Sequence, residues 1–145
     1  MTLRRYTIAD RDTIIQLYYD CVHTVAVNDY TPAQLYAWAS IDRINYRWLN
    51  ELLVIESFVV EEDSIVIGFG ALGGNEIRVV YTHKDHQGKG VATLLMNTLE
   101  EIARKGGIAE LTLDSSITAR TFYEKCGFIA TKEYARRLEH IHYLR

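Results

Sequence analysis

The chain has 145 residues, 48% apolar and 24% charged, with a single proline, so it has room for one core-bearing domain and little room for a linker or tail. A formal charge of −3 speaks against a basic nucleic-acid-binding face. No apolar stretch reaches membrane-span length, and Met1-Thr2-Leu3-Arg4-Arg5 is not followed by the apolar run of a signal peptide, so a cytoplasmic, membrane-free protein is expected.

Leu3 to Tyr6 reads as a first strand. Thr7-Ile8-Ala9-Asp10 then has the pattern of a capping box. Ile14, Leu17, Tyr18, Cys21, Val22 and Val25 follow at the spacing of one buried helical face. A second helix opens at Thr31-Pro32-Ala33-Gln34, with threonine as N-cap, proline at the first helical position and glutamine three residues on. A third helical stretch covers Ile44 to Leu52. Strands are predicted over Ile55–Glu61, Ile65–Leu72 and Glu76–Thr82, with turns at Glu62-Asp63-Ser64 and Gly73-Gly74-Asn75. Val91, Leu94, Leu95, Thr98, Leu99 and Ile102 mark a helix that stops at Gly106-Gly107. A short strand (Leu111–Leu113), a helix from Ser116 to Cys126 ended by Gly127, and strands at Phe128–Lys132 and His140–Leu144 complete the order. Cys21 and Cys126 fall at apolar-periodic positions and read as buried thiols. His140 and His142 share a strand face without a third ligand, so no metal is expected.

His83 to Gly88 joins a strand to a helix that begins near Gly90. Gly88 and Gly90 let backbone amides approach an anion closely. The helix start adds unbonded N–H groups and partial positive charge, and Lys89 a full one. A diphosphate fits this loop, although a glycine pair before a helix is also an ordinary turn. A P-loop is excluded because Gly90, not Ser or Thr, follows Lys89. A Rossmann site belongs in the first strand–helix unit, far upstream of this loop.

Gln87-Gly88-Lys89-Gly90-Val91-Ala92 resembles the Q/R-x-x-G-x-G/A motif of the GNAT N-acetyltransferase superfamily. Ala119-Arg120-Thr121-Phe122-Tyr123-Glu124-Lys125-Cys126-Gly127-Phe128 resembles its A-x-x-x-Y-x-x-x-G-F element. Val22-His23, Asp29 to Gln34, Ala37-Trp38 and Ser115 to Ala119 are similar to a bacterial YafP-like branch. The resemblance implies one α/β domain over residues 1–145, with mixed α+β order. Its central sheet would be mostly antiparallel, splayed near the middle and flanked by helices. The implied co-substrate is acetyl-CoA. Its pyrophosphate would lie on the amides of Gln87, Gly88, Lys89, Gly90, Val91 and Ala92. Its pantetheine arm would run along Val80, Tyr81 and Thr82, where an amide could also face the thioester oxygen.

The implied chemistry is direct attack of a neutral amine on the thioester. Tyr123 takes the position of the general acid; from the residues alone it reads as a core aromatic beside Phe122. By strand alternation Glu76, Arg78, Val80 and Thr82 share one face. Glu76 is the candidate base and otherwise a solvated strand end, with Glu56 as an alternative. Arg78 either pairs with Glu76 or receives a substrate carboxylate. Ser116 is either a cofactor contact or simply a helix N-cap. His23, Asp29, Tyr30 and Trp38 cluster in the N-terminal helical region, where the acceptor, a small-molecule or peptide amine, is expected; ordinary packing explains them equally. A homodimer is compatible with the resemblance. The other functional reading is a catalytically silent acyl-CoA-binding module.

Overall fold

A computed structural model describes residues 1–25, 28–38, 47–115, 118–134 and 140–144. Seven strands form one sheet: β1 (Thr2–Arg5), β2 (Glu56–Glu62), β3 (Ile65–Gly73), β4 (Glu76–Thr82), β5 (Thr112–Ser115), β6 (Ile129–Tyr134) and β7 (His140–Leu144). Their spatial order is β1-β2-β3-β4-β5-β7-β6. Every neighbouring pair is antiparallel except β4 and β5, which run parallel. The mixed, mostly antiparallel sheet expected from the sequence is therefore the one observed.

Alternation along β2 divides the core. Phe58 and Val60 face α4 (Val91–Lys105), packing with Leu95, Met96, Leu99 and Ala103. Val59 faces the other way, towards Ile14 and Leu17 of α1 (Arg11–Val25) and Leu49 of α3 (Arg47–Glu51). α2 (Pro32–Trp38) contributes Leu35, which packs with Val22 and Tyr30. α5 (Arg120–Lys125) places Tyr123 against the α4-side core. Two glycines of β3 set how closely α4 approaches the sheet. A Cβ on Gly68 would overlap Val91 Cγ1, and one on Gly70 would lie 3.4 Å from Leu95 Cδ2. The start of α4 thus rests almost on sheet backbone.

Local signals explain most boundaries. Thr31 and Gln34 form a reciprocal capping box: Gln34 N–H donates to Thr31 Oγ1 at 3.2 Å, and Thr31 N–H to Gln34 Oε1 at 2.8 Å. Gly127, at φ 94°, follows the C-cap of α5 as anticipated. Thr7 and Asp10 open a short 3-10 turn (Ile8–Asp10) before α1 rather than α1 itself. α5 covers Arg120–Lys125, shorter than the expected Ser116 to Cys126, and Ser116 lies outside the described residues. Residues 44–46 of the expected third helix lie outside them as well.

Arg4 ties β1 to the start of α1. Its guanidinium donates to both Asp10 carboxylate oxygens at 2.8 and 2.7 Å and to Glu61 at 2.7 Å. The Arg4 hydrogen bond holds the buried Asp10 carboxyl below its ordinary 3.8, against the opposing effect of burial, with help from Thr7 N–H. A lowered folded-state pKa gives stability that is present above 3.8 and lost as pH falls through the folded value. Asp10→Asn should therefore unfold at lower denaturant than the parent at pH 6, by about 1–3 kcal/mol. That gap should shrink below pH 3.8. Urea unfolding of both proteins at pH 6 and pH 3 measures it.

Candidate active site

The site begins where the sheet parts. β4 pairs with β5 only through Glu76↔Thr112 and Ile77↔Leu113. Thr112 N–H also donates to Asn75 O at 2.9 Å, which anchors the two strands at that end. Beyond Ile77 no described strand pairs with that side of β4. On its other side β4 stays paired to β3 through Thr82. His83 N–H donates to Ile67 O at 2.8 Å, which sets the phase of the ladder. By alternation Val79 and Tyr81 turn their backbone groups towards β3, and Val80 and Thr82 turn theirs towards the gap.

Ala71 pairs with Val79 and Leu72 with Ile77, so Arg78 is an extra residue in the ladder, a β-bulge. The bulge overturns the expectation that Glu76, Arg78, Val80 and Thr82 share one face. Val80 packs on the α4 side with Ile77, three residues away, while Val79 and Tyr81 pack on the α1 side. Arg78 reaches towards α3: its Nε is 3.0 Å from Glu76 Oε1 and its Nη1 is 3.2 Å from Glu51 Oε1. Simple alternation fails because the bulge resets the phase of the strand.

A cavity of about 750 Å³ fills the gap. At one end it is lined by Gln87, Gly88, Gly90, Val91, Ala92 and Thr93. Gly88 and Gly90 have φ of 73° and 85°, left-handed values that glycine adopts without strain. Gly90 caps α4, and Leu94 N–H makes the bond to its carbonyl at 3.0 Å. The amides of Val91, Ala92 and Thr93 belong to the first turn, which has no intrahelical acceptors. The Gln87 side chain donates to Thr82 O at 2.7 Å, so it fastens the loop to the end of β4. Thr82 N–H approaches the buried Cys21 thiol. Burial pushes that thiol up to about 11, and the Thr82 N–H opposes the shift. Lys89 is exposed and does not line the cavity.

Across the gap, Tyr123 lines the cavity from α5, buried between edge-on contacts with Phe122 at 5.3 Å and Phe128 at 6.1 Å. Burial, and secondarily the neighbouring Cys126, raise its hydroxyl well above the ordinary 10. Like any phenol, it is protonated at neutral pH. Val80, Tyr81, Thr82, Glu76 and Arg78 line the same space, as does Tyr30. His23 does not; its ring lies 4.2 Å from that of Tyr19 on the same helix. Glu56 is also away from the cavity and pairs with Arg5 at 2.9 Å. The side chain of Trp38, and Ser116 altogether, lie outside the described residues.

Several lining residues carry no functional signal in sequence. Tyr18, Cys21 and Val22 read as core positions of α1, yet their face also lines the cavity. Glu51, Asp114 and Thr118 come from separate elements. Thr118 Oγ1 donates to Asp29 Oδ2 at 2.7 Å, joining the loop after α1 to the loop before α5. Only the fold brings these together. Among the described residues no group of three or more His, Cys, Asp or Glu could hold a metal, and no helix is long and apolar enough to cross a membrane.

Fold and site define the class as an N-acetyltransferase. The acetyltransferase (GNAT) domain family matches residues 26–144, and the chain belongs to that family. The chain is 29% identical over 131 residues to the uncharacterized N-acetyltransferase YafP of Escherichia coli K12, spanning 90% of this chain and 83% of that protein. A GCN5-related N-acetyltransferase from Rhodopseudomonas palustris superposes with a TM-score of 0.93 at 25% identity, covering 99% of this chain and 94% of the other. The PaiA N-acetyltransferase of Thermoplasma acidophilum, solved in complex with coenzyme A, gives 0.80 at 21% identity, over 97% and 96% of the two chains.

The glycine geometry yields a direct expectation. A Cβ at Gly90 meets nothing within 4 Å, so Gly90→Ala acts through backbone strain alone. The left-handed conformation costs an alanine about 1–2 kcal/mol. If the loop relaxes to escape that strain, coenzyme A binding should weaken about tenfold, which isothermal titration calorimetry measures.

Proposed function

We propose that this protein transfers the acetyl group of acetyl-CoA to a primary amine by direct attack. The observation that carries the reading is the edge of β4 that no described strand pairs with beyond Ile77, running into the amide loop at the start of α4. A pantetheine arm carries amides that can pair with strand backbone, and Val80 presents its N–H and C=O to the gap. Thr82 has less to offer, since its carbonyl already accepts from Gln87. The pyrophosphate then falls at the first turn of α4, where unbonded amides and the helix dipole favour an anion. The complex of the PaiA acetyltransferase with coenzyme A supports the same class of donor.

The amine nitrogen attacks the thioester carbonyl carbon and forms a tetrahedral intermediate. The C–S bond then breaks, and the sulfur leaves with the electron pair. Tyr123, a cavity-wall phenol protonated at neutral pH, hydrogen-bonds the developing thiolate and supplies its proton. Glu76, at the cavity wall and held by Arg78, takes the proton from the amine. The Val80 N–H is the candidate donor to the oxyanion. No covalent enzyme intermediate is required.

Tyr123→Phe tests the acid. The change removes only the hydroxyl from a packed aromatic, so coenzyme A affinity should stay within about twofold while kcat falls roughly a hundredfold or more. Steady-state kinetics with mass detection of the acetylated product reads both. Equal turnover would remove Tyr123 from the mechanism. Tight coenzyme A binding without product from any amine would point to a silent binding module instead.

A further inference from the structure

The acceptor end of the cavity is furnished for a particular kind of amine. Among the described residues, the charged ones lining the cavity are Glu51, Glu76, Asp114 and Arg78, three acids and one base. Arg78 is already engaged, with Nε on Glu76 at 3.0 Å and Nη1 on Glu51 at 3.2 Å. Its remaining nitrogen, Nη2, lies against Gly73, where an added Cβ would sit 3.4 Å away. With Nε and Nη1 each paired to a carboxylate, neither edge of the guanidinium is left whole for bidentate pairing with a substrate carboxylate. The sequence alone left Arg78 open as a carboxylate receptor. The bulge turns it towards α3, where Glu51 and Glu76 hold it instead.

The walls beside this charged rim are apolar and aromatic. Tyr18, Tyr30 and Tyr81 line the cavity, with Leu52 and Ile55 next to Glu51. Tyr18 and Tyr81 meet edge to face at 5.0 Å, and Tyr81 stacks on Phe69 at 5.7 Å, so the aromatic surface is held rigidly. The tyrosine rings gain from burying an apolar or aromatic body, and the aliphatic Leu52 and Ile55 lose from burying a second charge.

We propose that the acceptor is a primary amine carried on an aromatic or apolar body, without a carboxylate beside the nitrogen, and that Glu51 selects it. This rests on the transferase reading above. Glu51 and Glu76 attract the ammonium form at the rim. Glu76 then takes the proton, so the charge that recognises the amine is removed as the neutral nucleophile forms. An α-amino acid would bring its carboxylate against Glu51 and Glu76, whose described cation, Arg78, is already paired with both. A polyamine would set a second ammonium, in place of an apolar body, against Leu52 and Ile55.

The test compares phenethylamine, phenylalanine and spermidine with acetyl-CoA and the intact protein, with acetylated product read by mass. Phenethylamine should exceed each of the others at least tenfold in kcat/KM. Glu51→Gln should raise KM for phenethylamine about tenfold, leaving kcat and the coenzyme A dissociation constant within about twofold. A merely structural role for Glu51 would move coenzyme A binding too. Phenylalanine or spermidine acetylated ahead of phenethylamine would overturn the proposed class while leaving the transferase intact. An unchanged KM in Glu51→Gln would overturn the role of Glu51. Acetylation of no amine, with coenzyme A still bound, would contradict the transferase reading and the class with it.

Discussion

The parting of β4 from β5 after two paired residues leaves strand backbone facing a cavity instead of a neighbour. Backbone N–H and C=O groups removed from water need partners, and an unsatisfied one costs about 1–3 kcal/mol. Glu76 and Ile77 still meet Thr112 and Leu113, so the gap opens from a fixed point and widens towards Thr82. Everything that makes the site sits along that opening. The Gln87 amide ties the loop to Thr82 at its wide end, and the absence of side chains at Gly68 and Gly70 lets α4 settle onto β3 beside it. Tyr123 comes from the far bank.

The bulge at Arg78 divides the labour of β4. Before it, Glu76 joins the charged rim shared with Glu51. After it, Val80 sits on the α4 side, with its backbone groups turned to the gap. A regular strand would have put Glu76, Arg78 and Val80 on one face and mixed the charged rim with the α4-side core. The extra residue separates the end proposed for an anionic, strand-pairing donor from the end proposed for the amine. The proposed chemistry happens where the two meet, between Glu76 and Tyr123.

Much of this was legible in the residues because it is local. The reciprocal cap at Thr31 and Gln34, the left-handed glycines at 88, 90 and 127, and the order of strands and helices all follow from short-range chemistry. The two motifs located the α4 loop and Tyr123, and both line the cavity. What escaped was tertiary. A bulge depends on the register of the partner strand, so Arg78 could not be placed by counting alternate residues along β4. Tyr18 and Cys21 satisfy helical periodicity equally well as core and as cavity wall, because the cavity opens within the core. Glu51 acquires meaning only when α3 is set beside β4, and His23 packs against Tyr19 on its own helix.

The central claim is that the open edge of β4 holds the donor, and it can be read one amide at a time. Hydrogen exchange of the Val80 N–H, followed by NMR with and without saturating coenzyme A, measures whether that edge gains a partner. Pairing with the pantetheine arm predicts marked slowing at Val80, while Val79 and Tyr81, already turned to β3, change much less. Val80 exchanging at the same rate in free and coenzyme A-saturated protein would contradict the account.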